Sequence, residues 1–240
     1  FGVLVILMVA AELARGLVVP LRAQVLLALL ALGVVAANLG ALRDAARDLR
    51  TQAQLTRAQL GALEIGRPLV KPDFVANAFF EIDAGSYFAA ERAWGTPAPS
   101  PAALAAAPEY ARKEADLQLI RIHRIAPQAS SATPPLGVRP VVESVAGGSI
   151  TDQGACVGLN PAAGSTAPSL AVRVPLSGLM LTADGGPATL SVRRFADEFQ
   201  PVGSLAASSP TTLRIAPDLA NQPWHLQLAP GERATVCGLA

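Results

Sequence analysis

The chain has 240 residues, of which 51% are hydrophobic and 15% are charged, and its formal net charge is +1. It has no cluster of Lys and Arg residues interleaved with aromatics, so we expect no nucleic-acid partner. The apolar residues are concentrated in the first 42 positions, which predicts a membrane-embedded segment followed by a water-exposed region.

Two apolar runs open the chain. The first begins with eleven apolar residues, "FGVLVILMVAA", about half of the roughly 20 that cross a bilayer. No positive segment precedes it, unlike in a signal peptide, so we interpret residues 1–11 as the end of a membrane helix that begins upstream. The second run, 23–42, is uncharged and predicts a complete span, with a buried core helix as the alternative. With Pro20 at the connection, residues 1–42 are predicted to form a membrane helical hairpin.

The second helix is predicted to continue beyond the apolar run as a juxtamembrane amphipathic helix over residues 43–66. Its apolar and small residues recur in steps of four and three, which is a heptad pattern. Two small residues and a Thr in this pattern favour a helix that lies against its own domain, with a coiled coil as the alternative. The pattern consists of Leu42, Ala46, Leu49, Ala53, Thr56, Leu60 and Leu63.

Residues 67–126 are predicted to form a small helical region with Pro punctuation. Ser100 before Pro101 is typical of a helix N-cap followed by a proline in the first turn. Aromatic residues at near-helical spacing are expected to pack in a core. They are Phe74, Phe79, Phe80, Tyr87, Phe88 and Trp94.

A further helix is predicted to begin at Pro108. Its apolar residues Leu117, Ile120 and Ile125 are expected to mark the buried face. Residues 127–139 follow, and their Pro, Ser and Ala content predicts a linker.

Residues 140–240 contain short runs that alternate apolar and polar residues and are separated by Gly, Pro and Ser, as in antiparallel sheets. Nine strands without a convincing helix favour an all-β sandwich, jelly-roll-like or immunoglobulin-like. The predicted fold class is therefore a membrane α-helical hairpin followed by an extracytoplasmic α+β region that ends in this sandwich. The predicted strands are 141–146, 155–159, 170–176, 178–183, 188–195, 200–205, 211–215, 224–228 and 234–238.

The chain has two cysteines, Cys156 and Cys237, near the two ends of the β region. No His lies near either of them in sequence, and two thiols alone make a poor zinc site. They are either buried free thiols or a disulfide, and we favour the disulfide. Because disulfides persist outside the cytosol, the pair indicates an extracytoplasmic domain.

The arginines around the apolar runs give a conflicting signal. More of them follow the second run than flank the hairpin, which would place the C-terminal side in the cytoplasm. Long domains translocate largely regardless of charge, however, and Asp44 and Asp48 are interleaved with these arginines. We therefore expect a plasma-membrane protein whose soluble part is extracytoplasmic.

The sequence contains no recognisable motif for catalysis or metal binding. His123 and His225 lie far apart, and no HExxH, GxSxG or P-loop pattern is present. Asp197 and Glu198 are adjacent in a predicted strand region, where neighbouring side chains point to opposite faces. We therefore predict no catalytic residue, cofactor site or metal site in this chain.

Trp224 begins a predicted strand, where an exposed indole would stack on a sugar ring. Arg194 and Asp197 are the candidate hydrogen-bonding partners of such a glycan. The alternative for Trp224 is packing in the core of the sandwich.

The order of parts resembles the C-terminal end of bacterial multi-pass membrane glycosyltransferases of the glycosyltransferase-C type. The stretches that carry the resemblance are "NLGALRDAARDLR", "GALEIGRP" with "KPDF", "RRFADEFQPVG", and "PWHLQL" followed by "TVCG". In such proteins the catalytic acid lies in an early extracytoplasmic loop, which no part of this chain matches. The resemblance therefore leaves the enzymatic status of the whole protein open.

The resemblance implies a membrane anchor and extracytoplasmic accessory domain that acts in cell-envelope glycan assembly. The implied partners are the lipid bilayer, an envelope glycan or lipid-linked sugar, and upstream membrane helices of the same protein. The alternative is a non-enzymatic envelope protein whose sandwich is a protein-interaction or structural module.

Overall fold

The computed structural model describes residues 20–130 and 134–240. The described residues divide into two compact units, one that ends at Gln52 and one that begins at Ala53. The first half of the predicted membrane hairpin, residues 1–11, lies outside the described residues.

Helix α1 spans Leu21–Ile65. It is long and apolar enough to cross a membrane by length and composition, and none of its apolar window is buried. A buried core helix, the alternative considered for the second apolar run, does not fit this exposure. Over residues 20–130 and 134–240, α1 is the single helix with these properties, so the structure supports one candidate span and leaves the hairpin unconfirmed.

The predicted amphipathic continuation belongs to the same helix. Leu42 and Leu49 of the heptad pattern are exposed, whereas Leu60 and Leu63 are buried. The pattern therefore divides in two, and its later part packs against the domain that follows in sequence.

Short helices and one small hairpin follow α1. Asp83 caps α2 by accepting a hydrogen bond from the Ser86 backbone N–H. Ser100 caps α3 in the same way, with Pro101 in its first turn, as predicted. The elements are β1 Val75–Asn77, β2 Ile82–Asp83, α2 Ala84–Trp94, α3 Pro101–Ala105 and α4 Glu109–His123.

The expected aromatic core is wrong for half of its members. Phe79 and Trp94 are 86% and 85% exposed, and Phe80 is also exposed. Phe79 and Phe80 lie in the connection between β1 and β2, and Trp94 is the last residue of α2. The remaining three aromatics pack in or against the core, namely Phe74, Tyr87 and Phe88.

The buried face of α4 also differs from the prediction. Leu117 is exposed, although Ile125 just beyond the helix is buried. Asp116 and Gln118 are buried instead. Apolar spacing alone does not assign these polar residues to the core, because their burial depends on partners elsewhere in the chain.

Two antiparallel sheets form a β-sandwich-like region. One sheet has the order β10-β9-β12-β7-β4 and the other β3-β11-β8-β13-β6-β5. Among the described residues the two sheets have eleven strands. These include each of the nine predicted strands, with ends that differ by a few residues. The strands are β3 Gln128–Ala129, β4 Val142–Ala146, β5 Gly148–Gln153, β6 Cys156–Pro161, β7 Ser169–Arg173, β8 Leu179–Ala183, β9 Ala188–Arg193, β10 Gln200–Leu205, β11 Thr211–Leu213, β12 His225–Pro230 and β13 Ala234–Gly238.

Two of these strands were not predicted. Strand β3 lies inside the predicted linker 127–139 and pairs with β11. Strand β5 is an edge strand without a buried residue, so it lacks the apolar alternation that marks a strand. It pairs with β6 through a tight turn at Gly154, whose φ of 70° favours glycine.

The core is continuous from the helical region into the sandwich. Buried residues of α1, α4 and both sheets belong to one apolar cluster. In β8 and β12 the buried side chains alternate with less buried ones, as expected for strands with one face toward a core. The helical region and the sandwich therefore stabilise each other.

Cys156 and Cys237 form a disulfide. They lie directly opposite each other on the paired strands β6 and β13, and both are buried. The predicted bridge is confirmed, and among the described residues no cysteine is free.

Candidate functional site

A cleft of ≈ 430 Å³ lies beside the connection between β11 and β12. We call residues 214–224 the β11–β12 loop. The cleft is lined by most of this loop, by residues 173–176 at the end of β7, and by Arg194. Its volume falls in the range of small-ligand sites.

Arg194 holds the β11–β12 loop in place. Its Nε donates to the Gln222 carbonyl at 2.9 Å, and a terminal nitrogen donates to the Ala220 carbonyl at 2.9 Å. Both terminal nitrogens bind the Asp218 carboxylate. These contacts engage four of the five guanidinium N–H donors, which leaves Arg194 little capacity to bind a ligand.

Asp218 connects the loop to helix α4. Its Oδ2 lies 2.8 Å from the Nε2 of His123, and its Oδ1 accepts the Ala220 backbone N–H at 3.0 Å. Burial raises the pKa of Asp218, but the hydrogen bonds from His123 and Arg194 and the charge of Arg194 outweigh burial and lower it to about 2. Asp218 is therefore an ionised, buried partner of Arg194 at neutral pH.

Asp116 on α4 holds the segment that follows β9. This fully buried carboxylate accepts the backbone N–H groups of Arg194, Phe195 and Ala196 at 2.8, 3.0 and 3.1 Å. Burial is the largest influence and raises the pKa of Asp116, while the three N–H groups oppose it. Arg194 is thus positioned through its own backbone as well as through its side chain.

The structure separates Asp197 from the other two predicted glycan contacts. Asp197 binds Arg112 of α4 with oxygen–nitrogen distances of 3.0 and 2.6 Å. Its neighbour Glu198 binds Lys113 at 3.1 Å. These surface ion pairs join the sandwich to α4 and lie outside the cleft.

Trp224 and Arg194 do come together, but inside the domain. Trp224 is 6% exposed, and its ring lies 5.3 Å from the Arg194 guanidinium and 5.8 Å from the His123 ring. An indole buried to this extent offers no open face to a sugar. The burial favours the core-packing alternative that the sequence allowed.

Two buried polar atoms of residues that line the cleft lack partners. Within the described part of the chain, neither the Trp224 Nε1 nor the Gln222 Oε1 has a hydrogen-bond partner. Unsatisfied buried polar groups are rare in native proteins. One atom donates and the other accepts, which is the combination that a hydroxyl group satisfies. No sequence pattern singles out Gln222, because its surroundings depend on long-range contacts such as the hydrogen bond that Arg194 donates to its carbonyl.

The two histidines have different carboxylate partners. His225 on β12 binds Glu143 at 2.6 Å, away from His123. Over residues 20–130 and 134–240, no group of three or more His, Cys, Asp or Glu residues is placed to hold a metal ion. The cleft residues offer binding chemistry through amides, an indole N–H and the Arg173 guanidinium.

Comparisons with known proteins give no family. No protein-family model matches the chain, and no curated protein does either. Among solved structures, a family 29 carbohydrate-binding module complexed with mannohexaose is 15% identical with a TM-score of 0.31, and the match covers 48% of this chain and 87% of that one. Another structure of a family 29 module is 18% identical, with a TM-score of 0.30 and coverage of 48% and 83%. Similarity at this level does not show a shared family. We therefore argue the function from the chain's own contacts.

Acid is expected to weaken the Arg194–Asp218 pair. Because the pKa of Asp218 is lower in the folded protein than its ordinary 3.8, its stabilising contribution is present above that value and is lost as the pH falls toward about 2. Urea unfolding of the wild type and of Asp218→Asn between pH 4 and pH 2 tests this. We expect a shallower acid decline in the variant, since an amide does not titrate. Equal slopes in the two proteins would contradict the assignment.

Proposed function

We propose that this chain is a membrane-anchored, extracytoplasmic module that binds a glycan in the cleft beside the β11–β12 loop. The observation that carries the proposal is the unpaired donor of Trp224 and the unpaired acceptor of Gln222, two residues that both line a cleft of ligand size. A sugar presents many hydroxyl groups, each of which donates and accepts. Because both atoms are buried, binding requires side-chain movement that opens them to the ligand.

The other cleft residues also suit a sugar. Asn221 contributes an amide, and the Arg173 guanidinium is half exposed at the cleft. Leu176 is exposed, and Pro175 and Pro223 also line the cleft. Amide and guanidinium groups bind hydroxyls, while the apolar residues suit the C–H faces of a pyranose.

Membrane anchoring and compartment are part of the same proposal. The apolar part of α1 supports an anchor in the plasma membrane. The Cys156–Cys237 disulfide supports a compartment outside the cytosol. Together with the sequence resemblance, they support an accessory domain of a membrane glycosyltransferase-like protein in envelope glycan assembly, with lipid-linked sugar or envelope glycan as ligand. Any catalytic residue of such a protein belongs to another part of it.

A second candidate function is a purely structural module. Arg194 and Asp197, two of the residues predicted to contact glycan, are engaged in contacts that fix the sandwich to α4 and to its own loop. In that case the cleft would hold ordered water at the two unpaired atoms. Ligand binding decides between the two functions.

The test is a screen of envelope polysaccharide fragments against the full chain in detergent, followed by calorimetric titration. We expect millimolar to micromolar affinity, roughly −4 to −8 kcal/mol. Gln222→Ala is expected to weaken binding about three- to tenfold through the loss of one hydrogen bond. Gln227→Ala is the matched control, because Gln227 is also a partly buried glutamine but lies on β12 outside the cleft.

Unchanged binding in Gln227→Ala together with weaker binding in Gln222→Ala would support the cleft. A screen without any binder would leave the structural module as the function. A glycan that binds both variants and the wild type equally would place the site elsewhere on the domain.

A further inference from the structure

A second cleft lies on the helical region, between residues 69–75 and the C-terminal end of α4. Its volume is ≈ 400 Å³, and its lining includes Lys71, Arg121 and Arg124. We propose that this basic cleft binds a phosphate group. The proposal goes beyond glycan binding, because it concerns another surface and another chemistry.

The charge of the lining favours an anion. The lining contains three cationic side chains and a single carboxylate, Asp73. Among the residues that the structure describes, no acidic side chain forms an ion pair with Lys71 or Arg124. Both side chains are exposed, so their charges are available to a ligand.

Arg121 is fixed in place before any ligand arrives. Its guanidinium lies 5.0 Å from the centre of the Phe74 ring. It donates to the Gln118 side chain at 3.0 Å and to the Val75 carbonyl at 3.3 Å. These bonds use two of its five N–H donors, so three remain. A pre-ordered guanidinium fork matches the geometry of phosphate oxygens and loses little entropy on binding.

Arg124 occupies a backbone position that favours glycine. It is the C-cap of α4 with φ of 52° and ψ of 45°, in the left-handed region. Glycine is the common residue there because a side chain is unfavourable in this conformation. Arg124 therefore places a cationic side chain in the lining of the cleft at a position where glycine would fit the backbone better.

Apolar residues next to the cations indicate what carries the phosphate. Leu69, Val70 and Phe74 line the cleft and are partly buried, and the buried Ile122 also lines it. A phosphate joined to an apolar group contacts both parts of this lining. Such a phosphate ester belongs either to a lipid headgroup or to a soluble ligand, and the two sources are separated by the probes below.

The experiment titrates the full chain in a neutral maltoside detergent, by calorimetry at low salt. One probe is inorganic pyrophosphate, and the other is dihexanoyl-phosphatidylglycerol below its micelle-forming concentration. We expect saturable binding that weakens with added salt. Binding of pyrophosphate alone would assign a soluble phosphate ligand, and tighter binding of the lipid would assign a headgroup. Both outcomes support a phosphate site.

Arg124→Gly separates binding from folding. Because glycine suits the left-handed conformation, the variant is expected to keep or raise the Tm while its affinity for the bound probe falls by about tenfold or more. Lys71→Gln is expected to weaken binding as well. Arg92→Gln is the matched control, because Arg92 is an exposed arginine in the last turn of α2 and does not line the cleft. The proposal is overturned if neither probe binds at 10 mM (roughly −3 kcal/mol), or if Arg124→Gly binds as tightly as the wild type.

Discussion

Arg194→Met is expected to lower the free energy of unfolding by about 3–5 kcal/mol, because it leaves the buried Asp218 carboxylate without its partner. The Arg194 and Asp218 side chains are 3% and 2% exposed. The substitution also leaves the carbonyls of Ala220 and Gln222 without their donor. Chemical denaturation monitored by circular dichroism measures the loss.

Arg193→Met is the control for this variant. Arg193 is the adjacent residue of β9, and it contacts the Phe199 ring and the Asp197 carbonyl near the surface. Its replacement is expected to cost less than about 1 kcal/mol. Combining Arg194→Met with Asp218→Asn should recover part of the loss, since the unpaired charge is then removed. Equal losses in Arg193→Met and Arg194→Met would contradict the central position of Arg194.

Removal of the disulfide is the second change with a large expected effect. Cys156 and Cys237 are 81 positions apart in sequence, and cross-linking them restricts the unfolded chain. In the loop-entropy model this restriction contributes about 3–5 kcal/mol. The variant with both Cys156→Ala and Cys237→Ala should therefore have a free energy of unfolding lower by that amount. Its urea midpoint should fall accordingly. Reduction of the wild type should reproduce the effect.

Reducing agent added to the double variant is the control, and it should change nothing. The same bond also tests the compartment. Protein extracted from cells in the presence of an alkylating reagent should give one linked peptide pair by mass spectrometry. Two alkylated thiols would contradict both the bridge in the native protein and the extracytoplasmic placement that rests on it.

The elements that depend on neighbours in sequence were predictable. Ser100 with Pro101 predicted a helix start, and the alternating runs of the sandwich predicted nine strands that the structure contains. Strand β5 was missed because it is an exposed edge without an apolar face. Phe79 and Trp94 were wrongly predicted to be buried, because the spacing of aromatic residues does not show whether another element covers their side chains.

The candidate cleft was predictable only in part. Trp224 and Arg194 were singled out, and the structure brings them together. The two carboxylate partners of Arg194, Asp116 and Asp218, come from distant positions, and no local pattern distinguishes them from other acidic residues. The unpaired Gln222 Oε1 is likewise a property of three-dimensional packing. Sequence patterns show which residues are suited to a site, whereas long-range contacts determine which atoms remain free to bind.

The glycan cleft is tested most directly by the indole N–H signals of the protein in a ¹⁵N-resolved NMR spectrum. The chain has two tryptophans: Trp224, which lines the cleft and has an unpaired Nε1, and Trp94, which is exposed on α2. Trp94→Phe assigns the two signals. During titration with the glycan identified by the screen, we predict a saturable shift of the Trp224 signal while the Trp94 signal stays in place. A Trp224 signal that does not move at saturating glycan would contradict the proposed site.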